Sequence, residues 1–283
     1  MSGFVAGRRR RRFDGVAVGL RAYALVLFVF LYLPIVFVVV YSFNDGRRLL
    51  IWNGFSARWY ERALDSNTIQ SAVQTSVKVA ALNAVVAIVL GSLAGIALAR
   101  RPGRWTTPFL ALVFLILVTP EIVDAIAYLI FFVRIEMNET LARLVIGHSV
   151  FGSAVVTLIV RARLSGIDES LEEAAADLGA PPTRVFRQIT LPLMMPAVLA
   201  GGLLAFTFSL DDVIVSSFVS SAGTFTLPVY IFSSLRTGLK GDVAAISTLM
   251  LLLTLVAIAV AALVLRRGGD TTEDITATLT GGG

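Results

Sequence analysis

Four carboxylates stand inside stretches otherwise apolar enough to cross a bilayer: Glu121 and Asp124, three residues apart, and the adjacent Asp211 and Asp212. A charge at membrane depth is costly, and by default it marks an ion, proton or solute path. Acids in this setting suit two chemistries: holding a cationic solute or relaying protons. The chain has no cysteine and a single histidine, His148, which excludes thiolate chemistry, iron–sulfur clusters and a histidine-built metal centre. No catalytic residue, metal ligand or cofactor is therefore assigned. No GxxxxGK[ST] run occurs either, so nucleotide energy has to come from a separate subunit.

The elements that carry these acids follow from composition. Hydrophobic residues make up 57% of the 283 positions and charged ones 15%, with a mean hydropathy of +0.83. A soluble domain carries about 25% charged residues, so the chain reads as an all-α polytopic membrane protein. The net charge of +5 does not point to nucleic acid, because the basic residues gather at the ends of apolar runs. Six runs are long enough to span, given about 20 residues per crossing: 21–43, 69–99, 106–133, 141–163, 193–213 and 243–265. Run length and the lack of a two-residue alternation favour helices over a barrel. The second run is overlong and carries Lys78 and Asn83, so its start is expected to project from the membrane.

Residues 1–20 form a basic N-terminus with Arg8 to Arg12. The apolar run behind it is too long for a signal peptide and reads as an uncleaved first transmembrane helix, 21–43. An external loop, 44–68, holds Trp52, Trp59 and Tyr60, aromatic residues that favour the headgroup level. The membrane core runs over 69–265, with a short interfacial helix expected from Leu227 to Leu235 between Gly223 and Gly238. The tail, 266–283, is expected to be disordered. Gly91 and Gly95 are spaced for close helix packing, and His148 reads as a satisfied packing residue.

Lys and Arg placement sets the orientation. Arg8–Arg12, Arg21, Arg100, Arg101, Arg104, Arg161, Arg163, Arg184, Arg187, Arg266 and Arg267 fall on one side of a six-span chain. That makes fifteen basic residues, against eight in the other loops. This side is the cytoplasm, and both termini lie on it. Span three enters from it near Thr106, which puts Glu121 about 22 Å along at about 1.5 Å per residue. On the same rise, Asp211 lies about 27 Å along span five. The two acidic pairs share a depth. They either face one another as a cationic path, or they separately mark a span end and satisfy the Thr119-Pro120 break.

Between spans four and five lies a charged segment, 168–192. Asp168, Glu169, Glu172 and Glu173 crowd a helix start, where acids favour the positive end of the dipole. Ser170 and Glu173 have capping-box spacing. Ala174, Ala175 and Ala176 favour helix and let another backbone approach. Gly179 suits the left-handed residue that ends a helix. Pro181 and Pro182 suit the first turn of a second helix, on which Phe186 and Ile189 share a face. Pro192 is expected to stop that helix before span five. The predicted product is a rigid cytoplasmic helix–turn–helix, the shape a mechanical coupler needs.

The pattern Glu173-Ala174-Ala175, three residues, Gly179, nine residues, Ile189-x-Leu191-Pro192 resembles the EAA loop of ABC importer permeases. Tyr41-Ser42-Phe43-Asn44, Thr119-Pro120-Glu121-Ile122-Val123, the run from Ser209 to Ser220 and Thr226-Leu227-Pro228 narrow the likeness. Together they resemble the PotC-type permease subunits of spermidine/putrescine importers. The resemblance implies a type I ABC importer fold with six transmembrane helices, a permease core over 69–265 and cytoplasmic EAA coupling helices. It implies ATPase contact through Glu173, Ala174, Ala175, Gly179, Phe186, Ile189, Leu191 and Pro192. It also implies a second homologous permease, an ATPase dimer, an extracytoplasmic substrate-binding protein and a bacterial inner-membrane location. Glu121, Asp124, Asp211 and Asp212 are the candidate substrate path. The alternatives are an importer for another small solute (iron(III), thiamine, an aminophosphonate or an opine-like compound) or a self-sufficient carrier or channel.

Overall fold

A computed structural model describes residues 15–46, 51–221, 223–236 and 241–267. Arg8–Arg12, Arg47, Arg48, Gly238 and the tail beyond 267 lie outside the described residues. The described chain is helical throughout, with a lone bridge between Asn44 and Phe55. The long helices are α1 (Gly15–Tyr41), α3 (Asn67–Arg100), α6 (Thr140–Ser165), α9 (Leu191–Asp211) and α12 (Gly241–Arg267). Shorter ones are α2 (Arg58–Asp65), α4 (Thr106–Val118), α5 (Glu121–Arg134), α7 (Ser170–Asp177), α8 (Pro182–Val185), α10 (Ile214–Val219) and α11 (Leu227–Leu235). The short helix expected from Leu227 to Leu235 is α11.

By length and composition the described residues hold four helices able to cross a membrane, or five if the bent pair α4–α5 counts as one. α12 runs 27 residues, but its apolar stretch among described side chains is Gly241–Val256, shorter than the span expected at 243–265. The span expected at 106–133 is not straight: α4 and α5 meet at 104°. Pro120 lacks an N–H and disfavours helical backbone in the residue before it, so Thr119 is extended at ψ 132°. The Thr119 hydroxyl and N–H both return to the Leu115 carbonyl, at 2.7 and 2.9 Å, which satisfies the end of α4.

The core is the triad α3, α6 and α9. Ala87, Val156, Val160, Leu164, Met194, Val198 and Ala205 form its dry centre. The α3–α6 approach depends on glycine. A Cβ on Gly91 would stand 2.6 Å from Val156 Cβ, and one on Gly95 would stand 2.9 Å from the Thr157 carbonyl. Asn83 is only 1% exposed. It donates from Nδ2 to the Ala205 carbonyl at 2.7 Å, pinning α3 to α9. It therefore lies inside the bundle. α1 stands apart: none of the side chains in its apolar window is buried within this chain.

Trp59, expected at the headgroup level, is 5% exposed. Its indole N–H donates 2.8 Å to the Asn44 carbonyl, and Arg58 and Arg62 lie over its ring at 4.7 and 5.2 Å. The ring ties Asn44 to the start of α12, where the Gly241 backbone leaves room for it. Trp52 is 47% exposed.

Replacing Gly95 by Ile is expected to push α3 off α6 and destabilise the fold by roughly 1–3 kcal/mol, as overpacking does. The thermal unfolding midpoint of the detergent-purified chain measures this, and an unchanged midpoint would contradict the packing described.

Candidate functional site

Two sites emerge, one at each end of α9. At one end a cavity of about 600 Å³ opens between α3, α6, α9 and the α4–α5 break. Its walls include Glu121, Asp124, Asp211 and Asp212, so the structure brings all four predicted acids together. The break is what positions the first pair. By ending α4 at Val118 and restarting at Glu121, it turns the first turn of α5 toward α9. Glu121 and Asp124 then sit where a helix dipole favours negative charge.

The second pair lies where α9 ends. Asp211 is its last residue, and Asp212 is extended at ψ 126° before α10 begins. Asp212 is the structural centre of the site. Its Oδ1 accepts from the Ser216 backbone N–H at 2.7 Å, which holds the start of α10. The same oxygen lies 3.3 Å from His148 Nε2, and Glu121 lines the same cavity. His148 reaches Ser209 Oγ through Nδ1 at 2.6 Å and Ser216 Oγ through Nε2 at 3.2 Å. A single imidazole on α6 thus fastens the end of α9, the extended Asp212 and α10 together. His148 is satisfied, as expected, but it belongs to the site rather than to plain packing. Its signal in the sequence was its isolation: a lone ionisable ring in an apolar span.

Tyr128, Phe151 and Phe208 add aromatic surface, and Asn83 adds an amide whose Oδ1 has no hydrogen-bond partner. Among the described residues the lining contains no Lys or Arg, and no cluster of His, Cys, Asp and Glu could hold a metal ion. The cavity is therefore an acidic, aromatic-flanked chamber suited to an organic cation.

The other site is the segment 168–192. The predicted capping box does not form: Ser170 makes no side-chain cap, and Asp168 Oδ1 instead accepts from the Ser170 N–H at 2.9 Å. That backbone hydrogen bond holds the exposed Asp168 carboxyl below the usual carboxylate range. Gly179 ends the element at φ +82°, the left-handed conformation expected of it. Pro182 takes the first position of α8. Pro192 does not stop the second helix, contrary to expectation. Residues 186–190 form a π-helical turn, and helix continues from Pro182 to Asp211 over 30 residues. A wider turn tolerates the missing proline N–H where an α-turn would break.

Glu173, Ala174, Gly179 and Phe186 are exposed, while Ala175 and Ile189 are half-buried. Leu191 packs against the core triad, and Pro192 is exposed at its helix start. Sequence reasoning passed over Leu178, which is 89% exposed between α7 and Gly179. Its signal was a large apolar side chain at the tip of a charged loop.

Residues 87–268 match the family described as binding-protein-dependent transport system inner membrane component. The chain is 40% identical over 235 residues to the putrescine transport system permease protein PotI of Escherichia coli K12, covering 80% of this chain and 83% of PotI. It is 39% identical over 246 residues to the spermidine/putrescine transport system permease protein PotC of Haemophilus influenzae, covering 87% and 96%. Its fold resembles a chain of the bacterial ABC transporter that imports the acidic polysaccharide alginate, at TM-score 0.73, 14% identity and coverage of 90% and 96%. A chain of the MetNI methionine ABC transporter aligns at TM-score 0.60, 17% identity and coverage of 70% and 94%. With most of its length inside the family match and relatives at this level of identity, the chain belongs to the inner-membrane components of binding-protein-dependent transport systems.

Proposed function

We propose that this chain is one permease subunit of an ATP-driven importer that carries polyamines, putrescine or spermidine, into the cytoplasm. The observation that carries the solute assignment is the cavity: four carboxylates and three aromatic rings without one Lys or Arg among the described lining. Carboxylates pair strongly with ammonium groups, and aromatic faces attract them as well. A volume near 600 Å³ suits a small organic solute. The relatives named for putrescine and spermidine transport agree with that charge.

In this reading Glu121, Asp124, Asp211 and Asp212 form the solute path, and segment 168–192 meets an ATPase dimer on the cytoplasmic side, where both termini also lie. A homologous permease completes the pathway, and an extracytoplasmic binding protein delivers the solute. The chain supplies no catalytic group; its part is to bind, orient and release. The continuous helix from Pro182 to Asp211 supports this division of labour. At about 1.5 Å per residue, α9 alone spans about 30 Å, so a push at its ATPase end displaces the acids at the other.

Asp211→Asn and Glu121→Gln are each expected to raise the half-saturating putrescine concentration for uptake by about tenfold, the order of one charge-assisted contact. Folding and ATPase docking should persist. Saturable uptake by cells without other polyamine importers measures this, and wild-type kinetics in both variants would remove the solute path. Glu173→Lys is expected to abolish uptake while the chain still reaches the membrane. Uptake that survives deletion of the ATPase subunit would overturn the importer reading.

A further inference from the structure

Arg100 is the last residue of α3, and its side chain is only 11% exposed. Its guanidinium makes contacts that no single helix needs. Nη1 donates to the Leu164 and Ile167 carbonyls at 3.0 and 3.3 Å, closing the C-terminal end of α6. A cation there also meets the negative end of the α6 dipole. Nε donates to Glu172 Oε1 on α7 at 3.2 Å, Nη2 lies 3.2 Å from the same oxygen, and Nη1 lies 3.3 Å from Glu169 Oε1. Glu172 Oε1 in turn accepts from Thr190 Oγ1 at 2.9 Å. Thr190, 5% exposed, closes the π-turn immediately before α9. Four elements therefore meet on one guanidinium and one carboxylate oxygen.

The rest of α7 has little else to hold it: none of its residues is buried. A helix that takes a push from a partner has to be fastened to what it moves. We infer that Arg100, through Glu172, is the positioning residue that locks the coupling helix to α3, α6 and α9, so that all four move as one body. Arg is the residue this needs, because its planar fork serves two carbonyls and a carboxylate at once, whereas a lysine ammonium reaches only part of that set. Without the lock, α7 still meets the ATPase but slips against the bundle, and hydrolysis no longer moves the cavity. This inference rests on reading 168–192 as the ATPase contact.

The test uses the whole importer, reconstituted in liposomes, with labelled putrescine uptake and ATP hydrolysis measured on the same vesicles. The chain has no native cysteine, so Gly103→Cys and Asp177→Cys place one spin label beside α3 and one at the end of α7. The partner subunits are made cysteine-free. In the otherwise native importer the label distance should be the same without nucleotide and with trapped ATP. In Arg100→Gln it should shift between the two states, and putrescine moved per ATP should fall roughly tenfold, the order of one lost charge-assisted contact. Arg100→Lys should lose part of this coupling, and Thr190→Val should weaken it with the ion pair intact. Arg101→Gln, an exposed neighbour of the same charge, should change neither readout. Should Arg100→Gln fail to assemble, Thr190→Val with native coupling and a native distance would overturn the lock. So would Arg100→Gln with a native uptake-to-hydrolysis ratio, or a native importer whose own label distance changes with ATP. Failure of the native importer to take up any putrescine while its ATPase runs would instead defeat the polyamine reading.

Discussion

No water is available in the hydrocarbon core to satisfy a polar group, so each one placed there must find its partner within protein or line a wet cavity. The structure is organised around that requirement. The α4–α5 break frees backbone at Thr119-Pro120, and the Thr119 hydroxyl takes up the Leu115 carbonyl. Asn83 enters the bundle and ties itself to the Ala205 carbonyl. Asp212 ends α9 and is held by the Ser216 N–H and His148. All four acids of the broken span and of the α9 end open onto one cavity. The residues that carry the polar cost are thus the ones that line the cavity.

A second consequence is mechanical. Close glycine packing between α3 and α6, with α9 laid against both, makes a triad with little room to shear. The π-turn at 186–190 carries helix through Pro192, so residues 182–192 and the acidic cavity share one rod. A π-turn inside a long helix recurs at functional positions because it re-aims side chains without ending the hydrogen-bond ladder. Here it brings Thr190 under Glu172 and so into contact with α7. The residues that follow α1 show the same logic on a smaller scale. Asn44 accepts the Gly46 and Asn53 N–H groups and receives Trp59, which draws Gly46, Asn53 and Trp59 onto one residue.

Much of this is legible in the chain itself. Apolar run length sets the helical class, because a lipid-spanning backbone has few options. The spacing from Glu173 to Pro192 locates a helix–turn–helix, and Gly179 its left-handed end, because short-range backbone geometry depends on residues near in sequence. The acids stand out because charge in an apolar run is costly. Where local rules speak alone, they err. Pro192 reads as a stop, and nothing near Asn83 or Trp59 in the sequence names a partner for either. Asn83 is instead claimed by the Ala205 carbonyl and Trp59 by that of Asn44, partners remote along the chain. Pro192 is carried through by the π-turn before it, whose last residue is held by Glu172 on α7.

What the sequence by itself determined was the list of parts: helices, breaks, a charged helix–turn–helix between two spans and acids at a common depth. These follow from hydropathy, propensity and rise per residue, which act over a few neighbours. Only the tertiary structure decided that the four acids share a cavity, that His148 ties α6 to the α9–α10 break, and that Arg100 on α3 reaches Glu172 on α7 across 72 positions. Such pairings depend on how helices cross. That crossing is set by the summed packing of distant small residues such as Gly91, Gly95 and Gly202, which no local pattern encodes.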